Sequence, residues 1–208
     1  MKTGTNNPPP LLDWGVASLA FQGESVSGDQ HVVQPFPNGV LVAAVDGVGH
    51  GAEAAAAAKV AIATLMAHAH ESVLPLLMRC HADLRETRGV VLTLASFKPL
   101  DGTITWAGVG NVEGVLLRAD AKRGPARDYV LLLGGVVGLQ LPPLRGFVIP
   151  VFPGDTLILA TDGIRSGFAE RLPLEISPQQ IADHVLSREA KGTDDALVLV
   201  ARYLGGSS

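Results

Sequence analysis

Val40-Leu41-Val42-Ala43-Ala44-Val45 is an unbroken apolar run that stops at Asp46-Gly47-Val48-Gly49-His50-Gly51, after which alanine dominates Ala52 to Ala69. A run with no polar alternation predicts a strand buried on both faces. Alanine is the strongest helix former, so the chain is expected to turn at the glycines into a helix ending near Ala69. Ser72 to Glu86 carries apolar residues at helical spacing, which predicts a second helix in tandem.

Working outward, Asp13 to Phe21 reads as a strand. Beyond the helices the pattern shortens to strand-sized pieces: Val90 to Phe97, Thr103 to Val109, Val112 to Arg118, Tyr129 to Leu133, Phe147 to Val151 and Thr156 to Thr161. Turn signals at Pro99 to Gly102 and Ala119 to Pro125 separate them. Asp101-Gly102 is an ordinary turn, and Lys122 to Arg127 reads as a solvated hairpin tip. Ser177-Pro178-Gln179-Gln180 supplies a capping serine, a proline at the first helical position and a glutamine three residues on, opening a helix to about Arg188. Ala196 to Tyr203 is a last strand. This order argues against a regularly alternating parallel sheet with crossovers. The expected class is α+β, two antiparallel sheets packed together with helices outside each.

The chain has 208 residues, 47% of them hydrophobic, enough for one domain to bury its own core. The expected organisation is a flexible arm over residues 1–10, a single domain over 11–204 and a flexible tail over 205–208. A net charge of −4 provides no positive field for nucleic acid or an anionic membrane. The lone cysteine, Cys80, cannot form an internal disulfide, which fits a reducing compartment. It sits at helical spacing with Leu76, Leu77 and Leu84, the pattern of a packing residue and not of a nucleophile. Met1 to Pro10 lacks the apolar stretch of a secretory signal. Ala54 to Ala67 is interrupted by Lys59 and falls short of the ~20 residues that cross a bilayer. A cytoplasmic, monomeric protein is expected.

The acidic residues are placed unusually. Asp46 ends the run Val40 to Val45, Asp162 ends Leu157 to Thr161, and glycine follows each; Asp194 and Asp195 stand just before the run Ala196 to Ala201. In an antiparallel sheet the end of one strand lies beside the start of its neighbour, so these carboxylates can meet at one rim. Clustered carboxylates repel unless a cation neutralises them. Oxygen donors alone, with no cysteine cluster or helical histidine pair, select Mg²⁺ or Mn²⁺ and disfavour zinc. Glycine after each aspartate removes a side chain where an ion must approach, and at Gly47 it leaves the backbone carbonyl available as a further ligand. A single Asp-Gly pair is usually a turn; the buried strand before each of these two sets them apart.

Taken in order, the motifs resemble the metal-dependent (PPM-type) serine/threonine protein phosphatase family, in its compact bacterial SpoIIE-like branch. The residues concerned are Glu24-Ser25-Val26-Ser27-Gly28-Asp29, Asp46 to Gly51, Ala107-Gly108-Val109-Gly110-Asn111, Gly154-Asp155 through Thr161-Asp162-Gly163, and Gly192-Thr193-Asp194-Asp195. The resemblance implies a four-layer α-β-β-α sandwich with two Mn²⁺ or Mg²⁺ ions at the sheet rim. It implies that Asp46 bridges both ions, that the carbonyl of Gly47 binds one, that Asp162 and Asp194 complete the other and that Asp29 holds metal-bound water. Asp195 competes for the last position, where the family often carries asparagine. Catalysis would rest on Asp46 and Asp162, through water activated between the ions and without a nucleophilic side chain.

The departures from the family are specific. Val48 stands where many relatives carry a histidine as general acid; His50, two residues on, is the candidate on the substrate side. No arginine precedes Arg79, so phosphate would be held chiefly by the metals and their waters. Asn111, also on the substrate side, replaces an aspartate linked to a third metal, so two ions are expected. The short stand-alone chain is most similar to the phosphatases that reset the bacterial stressosome. This implies phosphorylated STAS-domain partners, RsbS-like and RsbR-like. Two rival readings remain: a pseudophosphatase that binds phosphoproteins without hydrolysis, and a nucleotide loop over Gly47 to Gly51. The second lacks both a dinucleotide fingerprint and a P-loop lysine, so no nucleotide-binding residues are assigned.

Overall fold

The computed structural model describes residues 10–170 and 172–206. The expected arm, apart from Pro10, and the last two residues of the expected tail lie outside the described residues. Eleven strands and three α-helices follow in the order β1 (Leu12–Leu19), β2 (Asp29–Phe36), β3 (Gly39–Gly47), α1 (Gly51–Ala67), α2 (Val73–Asp83), β4 (Val90–Lys98), β5 (Thr103–Val109), β6 (Glu113–Leu117), β7 (Arg127–Tyr129), β8 (Leu132–Leu133), β9 (Phe147–Pro150), β10 (Thr156–Ala160), α3 (Pro178–Glu189) and β11 (Ala196–Tyr203). Sheet I runs β1-β11-β10-β6-β7, and sheet II runs β2-β3-β4-β5-β8 with β9 beside β5. Every pairing is antiparallel except β5 with β8.

The period of two in each central strand builds the layers. In β3, Leu41, Ala43 and Val45 pack beneath α1 and α2, while Val40, Val42 and Ala44 point between the sheets. In β11, Leu197, Leu199 and Ala201 face that same gap, and Ala196, Val198 and Val200 face α3. The outcome is the expected α-β-β-α sandwich. Ala54, Ala57, Ala58 and Ala61 of α1 are fully buried, so small side chains let this helix lie close on the sheet. Cys80 is buried among the α2 leucines, and burial pushes its thiol up to about 12, so it packs and does not react. No described helix is long and apolar enough to cross a membrane.

Two elements differ from the sequence reading. β2 has no counterpart there: Asp-Gln-His-Val-Val-Gln-Pro-Phe is half polar because an edge strand is only partly buried, and Pro35 is tolerated in it. The segment Tyr129 to Leu133 is not one strand. It splits into β7 and β8, which belong to different sheets, and the buried Val130 fills the gap between them while its N–H donates to the Gly114 carbonyl at 2.9 Å.

The capping box expected at Ser177 and Gln180 is present. Next to it, Gln179 covers the open edge of β1, its side-chain amide accepting from the Val16 N–H at 3.1 Å and donating to the Val16 carbonyl at 2.9 Å. Gly15 makes this possible, since a Cβ there would run into the Gln179 backbone.

At the end of β10 far from Asp162, a buried guanidinium ties the sheets. Arg118 donates to Asp155 at 2.8 Å, to Asp128 at 2.6 Å and to the Pro150 carbonyl of sheet II at 2.7 Å. Asp155 also accepts from the N–H groups of Ala119 and Phe152. Losing Asp155 would leave Arg118 to Asp128 alone and two backbone N–H groups without an acceptor. Asp155→Ala is therefore expected to lower the unfolding free energy by about 3–5 kcal/mol in chemical denaturation at neutral pH. A loss below about 1 kcal/mol would make this pair equivalent to a surface contact.

Candidate metal centre

Strand parity brings the acids together. Asp46 continues the even face of β3, Asp29 the odd face of β2, and Asp195 the odd face leading into β11; each of these faces points into the gap between the sheets. Asp29 and Asp46 lie opposite each other in the β2–β3 ladder. Across the gap, Asp162 follows β10 and Asp194 precedes its partner β11. The within-sheet convergence expected from strand ends thus occurs twice, and the two pairs face one another. Thr161, whose hydroxyl donates to Asp29 Oδ2 at 2.7 Å and accepts from the Leu197 N–H at 2.8 Å, links sheet I to sheet II.

Close approach has an electrostatic cost. Burial, reinforced by the charges of Asp29, Asp162, Asp194 and Asp195, pushes Asp46 up to about 8. Burial likewise raises Asp29 to about 7, despite the hydroxyl of Thr161 and with added repulsion from Asp195, Asp162 and Asp194. Asp162 is raised by burial and by Asp194, against the opposing effects of Lys191 and Asn111. All three are hard oxygen donors, and Asp46 and Asp29 keep protons near neutrality, so a divalent cation can displace protons and relieve the repulsion. The donor set fits Mg²⁺ or Mn²⁺. Among the described residues, no group of three or more His, Cys, Asp or Glu side chains is arranged as it stands to hold a metal ion.

The two adjacent aspartates differ in their surroundings. Asp195 is buried and accepts from the Phe21 N–H through Oδ1 and from the Gly28 N–H through Oδ2, both at 2.7 Å. It pins both ends of the loop that leads to Asp29. Asp194 is less buried, and its Oδ1 accepts only from the Asp195 N–H, at 2.8 Å.

The glycines have another reason than the one expected. A Cβ on Gly47 would collide with the Ala54 carbonyl, and a Cβ on Gly163 with the Asp195 carbonyl. Each therefore admits a neighbouring backbone rather than clearing a path for an ion. Asn111 donates to Asp162 Oδ2 at 2.8 Å and so belongs to the cluster. His50 bonds to none of the five aspartates: its Nδ1 lies 2.8 Å from Glu24 Oε1, and its ring tilts against Phe21. Thr161, quoted only as a member of a motif, and Lys191, which no motif includes, are neighbours of the acids to which the sequence assigns no role.

The family model for stage II sporulation protein E (SpoIIE) matches residues 37–204. The chain belongs to the SpoIIE family. Several solved structures share the fold of this SpoIIE-type domain. One comes from a study of the bacterial stressosome as a modular system adapted to control secondary messenger signalling; it is 29% identical, with a TM-score of 0.83, over 92% of this chain and 99% of that one. RsbX in complex with magnesium is 20% identical, with a TM-score of 0.82, over 92% and 95%. The PP2C phosphatase domain of SpoIIE from Bacillus subtilis, with a fragment of its regulatory domain, is 22% identical, with a TM-score of 0.74, over 95% and 64%. No curated protein matches significantly.

Raised carboxyl groups set the pH dependence of the metal-free SpoIIE-type domain. Asp46 and Asp29 keep protons in the folded state that the unfolded chain releases near pH 4. Between about pH 4 and 8 the folded state thus binds more protons, and stability falls as pH rises through that window. In EDTA the melting temperature should decline from pH 5 to 8.5, and Asp46→Asn should flatten the decline. A wild-type slope no steeper than that of the variant would refute the repulsive cluster.

Proposed function

We propose that this chain is a metal-dependent protein serine/threonine phosphatase acting in the cytoplasm on phosphorylated STAS-domain proteins of the stressosome, RsbS-like and RsbR-like, so that it resets a bacterial stress-signalling pathway. The observation that carries this reading is the meeting of Asp29 and Asp46 from one sheet with Asp162 and Asp194 from the other. The similarity to a chain from a study of the stressosome supports the choice of substrate.

Asp46, the Gly47 carbonyl, Asp162 and Asp194 would hold two Mn²⁺ or Mg²⁺ ions. Such ions would supply water of lowered pKa and charge stabilisation for the phosphoryl group. The protein's own contribution is placement. Thr161 orients Asp29, which would hold water at the metals. Asn111 orients Asp162 through its Oδ2. Asp195 is assigned to tethering the loop, since its two oxygens already accept from backbone N–H groups, and this leaves the ligand position to Asp194. His50, oriented by Glu24, stands at the start of α1 as the group available on the substrate side.

Asp46→Asn and Asp162→Asn should each reduce Mn²⁺-dependent hydrolysis of p-nitrophenyl phosphate and of a phosphorylated STAS protein by more than about a hundredfold, with unchanged circular dichroism. Wild-type turnover in either variant would refute the assignment, and no metal-dependent turnover by the wild type would favour a phosphoprotein-binding module. The neighbouring acids should separate. Asp194→Asn should lose turnover while remaining folded, whereas Asp195→Asn leaves one buried N–H without an acceptor and should cost about 1–3 kcal/mol of stability.

A further inference from the structure

Lys191 is fastened to the turn that carries Asp162. Its Nζ donates to the Asp162 carbonyl at 2.6 Å, its backbone N–H donates to the Gly163 carbonyl at 2.8 Å, and a bridge between Ile164 and Ala190 closes the same ladder. The side chain is exposed on the turn leading to Asp194. Its one bonded acceptor is a neutral carbonyl, and among the described residues it forms no ion pair. Arg88, which lies against Gly49 near the start of α1, is engaged by Glu53 instead. Lys191 is thus a cation held beside the acids without a counter-charge of its own.

A phosphomonoester carries close to two negative charges near neutrality, and it must approach a rim made of carboxylates. Lysine binds phosphate as a point charge, and here the stem is already ordered by its carbonyl contact, so little further rotamer freedom is lost on binding. We propose that Lys191 grips the phosphoryl group of the substrate at this rim. The identity of the ligand rests on the proposed phosphatase activity; the position of the cation does not. Because Lys191 opposes the charge of Asp162, it also works against cations at the same place. Its removal should therefore weaken phosphate binding and leave metal binding unchanged or tighter, a pair of opposite effects that loss of a structural contact does not produce.

The test uses the full chain and its Lys191→Gln and Lys191→Arg variants. Calorimetry measures Mn²⁺ binding first and then inorganic phosphate binding to the Mn²⁺-loaded protein, and steady-state kinetics with p-nitrophenyl phosphate gives kcat and KM. For Lys191→Gln the phosphate Kd and the KM should both rise about fivefold or more, as expected for an ionic hydrogen bond at an exposed rim, with kcat within about twofold. Lys191→Arg should stay within about twofold of wild type in phosphate affinity, because the charge is kept. The inference is overturned if Lys191→Gln binds phosphate like wild type, if the wild type binds none, or if both variants lose metal and phosphate affinity together with melting temperature. Phosphate binding that depends on Lys191 in a protein without turnover would uphold the inference and reject the phosphatase reading; metal-dependent turnover indifferent to Lys191→Gln would do the reverse.

Discussion

Repulsion among buried carboxylates is the constraint around which the molecule is organised. Four strands from two sheets deliver acids to one end of the inter-sheet gap, and burial there raises Asp46 to about 8 and Asp29 to about 7. Such a cluster is tolerated only where the surrounding scaffold is stable enough to absorb its cost. The scaffold consists of alternating apolar strands, with Leu41, Leu94, Leu157 and Leu199 among the fully buried side chains. The opposite end of the sandwich holds charge of the other kind, a buried guanidinium enclosed by Asp155, Asp128 and a carbonyl, so there the acids share a cation supplied by the fold. Charge is compensated at one end and left uncompensated at the other.

The uncompensated end is assembled by backbone contacts as much as by side chains. Gly47 lets α1 rest on the end of β3, and Gly163 lets the turn after β10 touch the start of β11. Asp195 gathers the loop before β2 by its two ends. The acids are thus positioned by close packing of main chain, which accounts for an aspartate and a glycine travelling together at Asp46 and again at Asp162.

How much of this is legible in the sequence depends on burial. β3, α1 and β11 announce themselves because full burial demands apolar residues throughout, and α3 because its cap satisfies the first N–H groups with side chains that have to be serine and glutamine. Asp46 and Asp162 stand out as the polar ends of such runs. β2 is illegible because an edge strand needs few apolar residues, and with it goes the register that sets Asp29 opposite Asp46. The sheet change at Val130 is equally hidden, since Tyr129 to Leu133 has the composition of one strand. Glu24 and Thr161 lie inside motifs the sequence displays, but their bonds to His50 and Asp29, like that of Lys191 to Asp162, join residues distant in sequence, and no local pattern encodes these.

The split of that segment limits how the sandwich can deform. Three Cα steps separate Tyr129 in one sheet from Leu132 in the other, a reach of at most about 10–11 Å, while face-to-face sheets stand about 10 Å apart. The connection is almost taut, like the stitched spine of a book. Sliding one leaf along the other would stretch it beyond its length, so shear between the leaves is blocked on that flank. The far flank, where the longer stretch between Leu19 and Asp29 joins β1 to β2, is held by a different device: Asp195 takes that loop at Phe21 and Gly28, so side-chain bonds do there what a short chain does here.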